Sequence, residues 1–490
     1  MDQVQNHHLK KKKVKTDFVI QIMEETYEYS VGLDIGTTKI VAIVGRKAPN
    51  GGIEILGMGK SQSLGVNQGV IQNIEQTISS IRRAVEGAER ISGVKIKRVT
   101  VGIAGHHIRS LQRSDYILRD NIEDIINEKD IDVLKSQVDK LPMLPGEEII
   151  HVIPQEYKID SQGDIYEPIG MCGSRIEANF HVVVGKISSI RNITRCVRGA
   201  GLDIESITLE PLASSDAVLK PEEREAGVAL IDIGGGTTDI AIFKDNIIRH
   251  TCVIPNGGKI ITEEIKEKHS IIEKHAEILK KKYGSAMPEK EKENTYVTIP
   301  GISNRPDKEI SIKRLAETIN LRLKEVIDLI NMELKLYGAS EQKKKLIAGI
   351  VLTGGGSNLK NIAELIDRET GFDTRIGIPS EYVVNDYDDV LKIPEYATAI
   401  GLLIESIRIK DRKESYSKVE EYQQVDEVKN RDMIETTGSD VLPAIDAERD
   451  TYDEQDVSDV EKKNILSFLK KGFQQITESS KKWLNLPEEE

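Results

Sequence analysis

The chain has 490 residues, of which 38% are hydrophobic and 30% charged, and a net charge of −13. That length argues for about three folding units plus tails rather than one core. The acidic balance argues against nucleic acid as the main partner, and the longest apolar runs, Ala226–Ile233 and Ala397–Ile404, fall well short of the ~20 residues that span a bilayer.

In chain order, Lys10–Lys13 and Lys15 precede Phe18–Met23, an apolar stretch too short for a secretory segment and without a small-residue cleavage site, which argues against export. Tyr29–Val44 reads as strand, tight turn and strand, broken at Gly36-Thr37-Thr38. Apolar residues recur at helical spacing over Ile74–Ile91. From about Val99 to His181 the pattern is one of short strands with a polar helical stretch at Asn121–Lys140, which predicts a small inserted domain; His106 and His107 follow a predicted strand there and lack partners at ligand spacing. A helix is predicted at Ile187–Ala200, a strand at Asp203–Leu209 and a second strand-turn-strand at Val228–Phe243. Residues 260–284 and 310–338 are helical by pattern. A strand at Leu346–Leu352 leads into Thr353-Gly354-Gly355-Gly356-Ser357, with helices expected at Leu359–Thr370 and Pro394–Ile407. Residues 411–461 hold 17 acidic and 6 basic side chains, so most of the net charge lies in one solvated linker. Cys172, Cys196 and Cys252 show no CxxC spacing, so neither a disulfide framework nor a zinc site is expected.

The two hairpins resemble each other. LDIGTTKIVAIV (33–44) and IDIGGGTTDIAIF (231–243) align over DIG, TT and the following strand. Such a long period implies two related α/β domains that each present one turn to a shared cleft. A lone glycine turn is more often a plain connection. Three such turns, Gly36–Lys39, Gly234–Thr238 and Gly354–Ser357, two of them internally related, point instead to phosphate binding. Without Cβ atoms, successive amides converge on phosphate oxygens, threonine hydroxyls add donors and lysine adds a charge. Asp34 and Asp232 precede two of the turns, where carboxylates suit the water shell of a phosphate-bridging Mg²⁺.

The terminal segment NILSFLKKGFQQITESSKKWLNL places Ile465, Leu469, Phe473, Ile476 and Trp483 on one helical stripe, flanked by Leu466 and Leu484 and bordered by lysines. Beyond an acidic tether this apolar face has no home within the chain, and a membrane interface supplies one; a docking helix for another protein is the rival reading.

DIGTTK, DIGGGTTD and LTGGGSNL resemble the two phosphate motifs and the adenosine motif of the actin, chaperone and sugar kinase superfamily. Within it, HVIPQEYKID (151–160), EPIGMCGSRIEANFHVV (167–183) and LEPLASSDAVL (209–219) are similar to the FtsA family. That resemblance implies an α/β fold, an actin-like (ribonuclease H-like) duplicated two-domain ATPase with a small inserted α+β subdomain and a C-terminal amphipathic helix. It also implies a cell division protein on the cytoplasmic face of the membrane. Its expected cofactors are ATP and Mg²⁺. Its expected partners are FtsZ filaments, membrane lipid, further copies of itself and other division proteins through the insert.

Carried over residue by residue, Asp34, Gly36, Thr37, Thr38 and Lys39 would face phosphate and metal from one domain, and Asp232, Gly234, Gly235, Gly236, Thr237 and Thr238 from the other. Gly354, Gly355, Gly356 and Ser357 would back the adenosine. Gly257, Gly258, Glu277 and Lys280 would complete the nucleotide contacts, and Glu210 would orient water for at most slow hydrolysis. The division expected is a disordered basic lead at 1–28, a first domain at 29–96, 185–225 and 379–408, the insert at 97–184, a second domain at 226–378 with its outer part at about 260–345, a linker at 409–461 and the terminal helix at 462–486. The rivals are a small-molecule kinase, for which no extra acidic motif marks a substrate, and a chaperone, for which no β-rich domain follows residue 408. An actin-like scaffold of a pilus or secretion assembly is the third.

Overall fold

The computed structural model describes residues 29–119, 123–301, 306–339, 341, 344–379, 383 and 393–413. The basic lead, most of the acidic linker and the terminal helix expected at 462–486, with Ile465, Leu466, Leu469, Phe473, Ile476, Trp483 and Leu484, lie outside the described residues.

Ser30–Ile35, Lys39–Lys47 and Ile53–Gln62 form an antiparallel meander. Arg98–Ile103 and then Asp203–Leu209 add parallel to its first strand, giving a five-stranded sheet. Val228–Ile233, Thr238–Lys244 and Ile247–Ile254 repeat the meander, and Ile350–Thr353 and Thr374–Ile376 repeat the parallel additions. The strand order about the first strand is the same in both sheets, so the duplication extends from the two hairpins to whole domains.

On the first sheet lies the helix Ile74–Ser92, started by the Asn73 side chain accepting the Gln76 amide and stopped at Gly93 with φ +71°. Its face of Ile78, Ile81, Ala84, Val85 and Ala88 is buried, at roughly 1.5–3 kcal/mol for each large aliphatic side chain. The approach is close because Gly59 has no side chain: a Cβ there would fall 1.8 Å from the Ala84 carbonyl oxygen.

Arg98–Ile103, assigned from sequence to the insert, is instead a central strand of the first sheet. Val99, Val101 and Ile103 are buried on one face and Thr100 and Gly102 on the other, as a strand covered on both sides requires. The insert proper is a four-stranded antiparallel sheet in the order Arg109–Leu118, Arg175–Lys186, Glu147–Ile159, Gln162–Ile165, with the helix Glu128–Asp139 held by an Asn127/Asp130 capping box. Ile126, Leu134, Ile176 and Phe180 give it a core of its own.

The stretch read as helical over 260–284 is two helices, Gly258–His269 and Glu273–Tyr283, separated where Ser270 takes φ +47°. The long helix Ile312–Tyr337 packs beneath them in the core of the second domain. The strand expected at Leu346–Leu352 starts later, because Gly349 turns at φ +65° before Ile350.

Between the sheets run two helices, Glu210–Val218 and 397–413. They share one core with strands of both domains: Val41, Ile43, Val228, Leu230, Ala241 and Val351 meet Ala217, Ala399, Ile400 and Leu403. Gly401 brings these helices together, since a Cβ on it would sit 1.8 Å from the Ala213 carbonyl oxygen. The second helix runs past Ile407, where the sequence pattern ended it, into the charged sequence beyond. Arg412 pairs with Glu405 at 2.9 Å, Lys413 with Glu205 at 3.1 Å and Asp411 with Lys47 at 2.6 Å. Among the described residues no helix is long and apolar enough to cross a membrane.

Candidate functional site: a glycine-lined cleft between the two sheets

The two sister turns face one another. A Cβ on Gly235 would lie 1.9 Å from the Thr38 hydroxyl oxygen, and one on Gly236 would lie 2.5 Å from Thr37 Oγ1 and 2.9 Å from Gln68 Cα. Glycine is therefore required at 235 and 236 for the backbones to meet across the gap. The loop through Asn67 and Gln68 also joins the domains here. Gly69 N–H donates to Thr37 Oγ1 (3.1 Å), Gln68 Nε2 to the Pro255 carbonyl (2.9 Å) and Lys259 Nζ to Asn67 Oδ1 (3.4 Å).

The second turn is seated on the start of Gly258–His269. Gly234 carbonyl accepts the Gly258 amide at 2.9 Å, and Gly235 carbonyl accepts the Lys259 amide at 2.8 Å. Thr238 Oγ1 donates to the Asn256 carbonyl at 2.7 Å. A Cβ on Gly257 would fall 2.7 Å from Gly234 O, so Gly257 and Gly258 hold the turn in place. Lys280 reaches the same corner, donating to Gly258 O (2.8 Å) and Thr262 Oγ1 (2.7 Å) and pairing with Glu277 at 2.7 Å. Burial lowers the Lys280 pKa. For Glu277 burial acts upward, but the Lys280 charge and the Thr262 hydroxyl outweigh it and hold the carboxyl low.

At the third turn Gly354 has φ +83°, and a Cβ on it would fall 2.1 Å from Asp232 Oδ1. Gly356 packs on Ile233, whose Cγ2 would be 2.4 Å from a Cβ, and Ser357 Oγ is turned inward to donate to Gly354 O at 2.7 Å. Gly355 is the open one of the three, with its nearest neighbour, Glu395 Cβ, 3.8 Å from a notional Cβ.

Three buried carboxylates, Asp34, Asp232 and Asp239, lie where the turns meet, with half-buried Glu210 at the start of Glu210–Val218. Desolvation raises all four, Asp34 to about 6 and Glu210 and Asp239 well above the usual carboxylate range, and repulsion from neighbouring acids adds to it at Asp34, Glu210 and Asp239. Asp232 accepts from Ser214 (2.6 Å) and Thr398 (3.1 Å), which hold it down in part. Lys39 is the cation that acts on Asp34, Asp232 and Glu210. Its Nζ donates to the Glu395 carbonyl at 2.7 Å and lies 5.6 Å from the Tyr396 ring centre, while Lys60 ties down the Glu395 carboxylate at 2.6 Å.

This donor set fits a hydrated divalent cation and a polyphosphate. The acids outnumber the one lysine, the turns present glycine backbone, and Asp239 Oδ1 has no partner among the described residues. No three acid, histidine or cysteine side chains among the described residues converge as a direct metal cluster, so metal contact through water suits the geometry. Sequence reasoning named Asp34, Asp232 and Glu210 but not Asp239, which closes DIGGGTTD and was legible there as an acid. Thr398, Gln68, Glu395 and Tyr396 carry no motif and reach the cleft through tertiary packing, while Ser214 lies inside LEPLASSDAVL, where the motif assigned it no role. His107 is buried against Gly105, and burial takes its ring to about 4.

Two α/β domains of one topology, each offering a glycine turn to a common cleft, define the actin-like class of fold. The solved PilM–PilN type IV pilus biogenesis complex shares this fold, with a TM-score of 0.56 and 16% identity over 77% of this chain and 98% of that one. The family model described as cell division protein FtsA matches residues 229–401, and that of the SHS2 domain inserted in FtsA matches residues 105–184. Cell division protein FtsA of Pseudomonas aeruginosa is 39% identical over 374 residues, 76% of this chain and 88% of the relative. That of Neisseria meningitidis is 37% identical over 388 residues, 78% and 91% of the two chains, and that of Escherichia coli K12 34% over 377 residues, 76% and 89%. The chain belongs to the FtsA family of cell division proteins.

Proposed function

We propose that this protein binds Mg-ATP in the cleft, stacks into filaments in the closed shape that ATP favours, and tethers FtsZ filaments to the cytoplasmic face of the membrane. The observation that carries the reading is the meeting of the two sister turns, Gly235 against Thr38, above buried Asp34 and Asp232. Gly36, Thr37, Thr38 and Lys39 would hold the phosphates from one side and Gly234–Thr238 from the other. Asp34 and Asp232 would hold Mg²⁺ through water, where it neutralises phosphate charge. Gly355 gives the adenosine its open backbone, and Glu277 and Lys280 stand beside the second turn.

Glu210 is poorly suited to rapid hydrolysis. It stands at the start of Glu210–Val218 among other acids, where it would orient water for at most slow hydrolysis, and nucleotide would act mainly as a shape switch. On a filament, many weak C-terminal helices engage lipid together, so anchoring that is marginal singly becomes firm. On the insert, a groove lined by exposed Tyr116, Leu118, Ile125 and Val133 is the surface offered to other division proteins. The pilus-scaffold alternative rests on fold alone.

Liposome cosedimentation of the full chain and of a chain ending at Asp459, each with and without Mg-ATP and FtsZ, tests the proposal. Full-length protein is expected to carry FtsZ into the pellet in an ATP-dependent manner, and the truncated chain to stay in solution. Equal pelleting of the truncated chain removes the anchor, and FtsZ left in the supernatant with the full chain removes the adaptor role.

A further inference from the structure

The insert reaches the backbone beside Glu210. Its strand Glu147–Ile159 bulges at Ile150, where Val183 pairs with His151 and the next residue, Val184, pairs with Ile149. A bulge re-aims the side chains around it. Ile149 and Val152 pack on the insert's own core. His151 leaves the sheet toward the first domain instead, and its Nε2 accepts the Leu209 amide at 3.0 Å. Desolvation takes the ring to about 4, so near neutral pH it is uncharged and free to accept.

Leu209 ends Asp203–Leu209, the edge strand of the first sheet, and precedes Glu210–Val218, which has no side-chain cap. An amide turned outward at a sheet edge has no strand partner, and His151 supplies one. Glu210 follows directly, and its side chain lies over Gly102 of the neighbouring strand. A Cβ on Gly102 would fall 2.9 Å from Glu210 Cγ and 3.0 Å from Oε1. The carboxyl group is thus placed by the backbone turn at Leu209 and by the glycine beneath it. The same insert also holds the second domain, where Ser110 Oγ donates to the Thr251 carbonyl at 3.1 Å and buried His181 Nε2 meets Thr251 Oγ1 at 3.0 Å.

Resting on the reading of Glu210 above, we infer that His151 is a positioning residue for ATP hydrolysis: it fixes Leu209 so that Glu210 meets the attacking water, which makes the insert part of the hydrolytic apparatus. In that step the water oxygen bonds to the γ-phosphorus and the bond to the bridging oxygen breaks with its electron pair on ADP. One water proton stays on the phosphate and the other passes to solvent. His151 acts through the Leu209–Glu210 backbone and not on the nucleotide, so its loss slows the chemical step and leaves ATP binding alone. Because the insert is fastened to both domains, movement of the second domain reaches Glu210 through the same contact.

The test is single-turnover hydrolysis of Mg-ATP by an excess of the full chain, with ATP affinity measured by calorimetry on the same variants. His151→Leu, which removes the acceptor, is expected to turn over about tenfold more slowly with affinity unchanged. His151→Gln keeps an acceptor where Nε2 lies and is expected to recover most of the rate. His151→Asn, one bond shorter, is expected to stay slow and replaces the leucine variant should that one fail to fold. In a Glu210→Gln background His151→Leu is expected to add nothing, because the two act as a unit. Full turnover in His151→Leu or His151→Asn overturns the inference. So does a glutamine variant as slow as the leucine one, a parallel loss of ATP affinity, or a second loss of the same size on top of Glu210→Gln. No turnover by the unmodified chain, or unchanged turnover in Glu210→Gln, is a different result: it defeats the reading of Glu210 itself, and this inference with it.

Discussion

Substituting Gly354 by alanine separates the part of the third turn that serves the protein from the part that serves a ligand. At φ +83° and ψ 172°, a region essentially confined to glycine, an alanine costs roughly 1–3 kcal/mol of backbone strain. Its Cβ would also press on Asp232 Oδ1 at 2.1 Å and on the Ile233 carbonyl oxygen at 2.6 Å, an overpacking that costs about 1–3 kcal/mol in a rigid core. The sum, about 2–6 kcal/mol, corresponds to a drop of roughly 5–20 °C in the melting midpoint of a domain of about 150–250 residues. Gly355→Ala is the control. Its φ is ordinary and its Cβ meets only Glu395 at 3.8 Å, so its unfolding is expected to be unchanged while its adenine nucleotide affinity falls. Thermal unfolding of the nucleotide-free chains followed by circular dichroism measures the first effect, and ATP titration the second. If Gly354→Ala melts with the unmodified chain, or Gly355→Ala melts as early as Gly354→Ala, the assignment of Gly354 to the protein's own packing is refuted.

Ser214→Ala removes one of two donors to buried Asp232 and is expected to cost about 1–3 kcal/mol in nucleotide-free stability, with Ser214→Thr restoring part of it; chemical denaturation reads both. Lys39→Met should weaken ATP binding at least about tenfold, because it removes the one cation acting on three of the acids; unchanged affinity would take Lys39 out of the site. Two desolvated groups, buried Asp34 and half-buried His151, give opposite pH slopes. Asp34 is raised from 3.8 to about 6, so between those values the folded chain binds more protons than the unfolded one and stability falls as pH rises; Asp34→Asn should remove that fall. His151 is lowered from 6.5 to about 4 by burial, and its Nε2 accepts the Leu209 amide at 3.0 Å just before Glu210. Its contribution is complete above pH 6.5 and lost as pH falls toward 4, so His151→Gln should remove a fall on the acid side. Stability curves of each variant subtracted from the unmodified chain over pH 4–7 separate the two, and slopes of the same sign would contradict the assignment.

What the sequence determined by itself was local and repeated. The DIG-turn hairpins, the third glycine turn and the helix at Ile74 announced themselves through residue types whose backbone or packing preferences act over a few positions, and the likeness of the hairpins revealed the duplication. Asp34 and Asp232 were legible for the same reason, whereas Glu210 was named only through the family resemblance. Tertiary structure decided what depends on distant partners. Arg98–Ile103 reads as a buried strand, but its place beside Ser30–Ile35 rather than in the insert is set by the sheet that covers it on both sides. Gly257 and Gly354 look like ligand-facing glycines, yet the atoms a side chain would strike are the protein's own Gly234 carbonyl and Asp232 carboxylate. Ser214, Thr398 and the Glu395 carbonyl lie far along the chain from the acids and the lysine they hold. Propensity and periodicity describe each segment alone, whereas the balance of buried charge in this cleft exists only once the two sheets close on the helices between them.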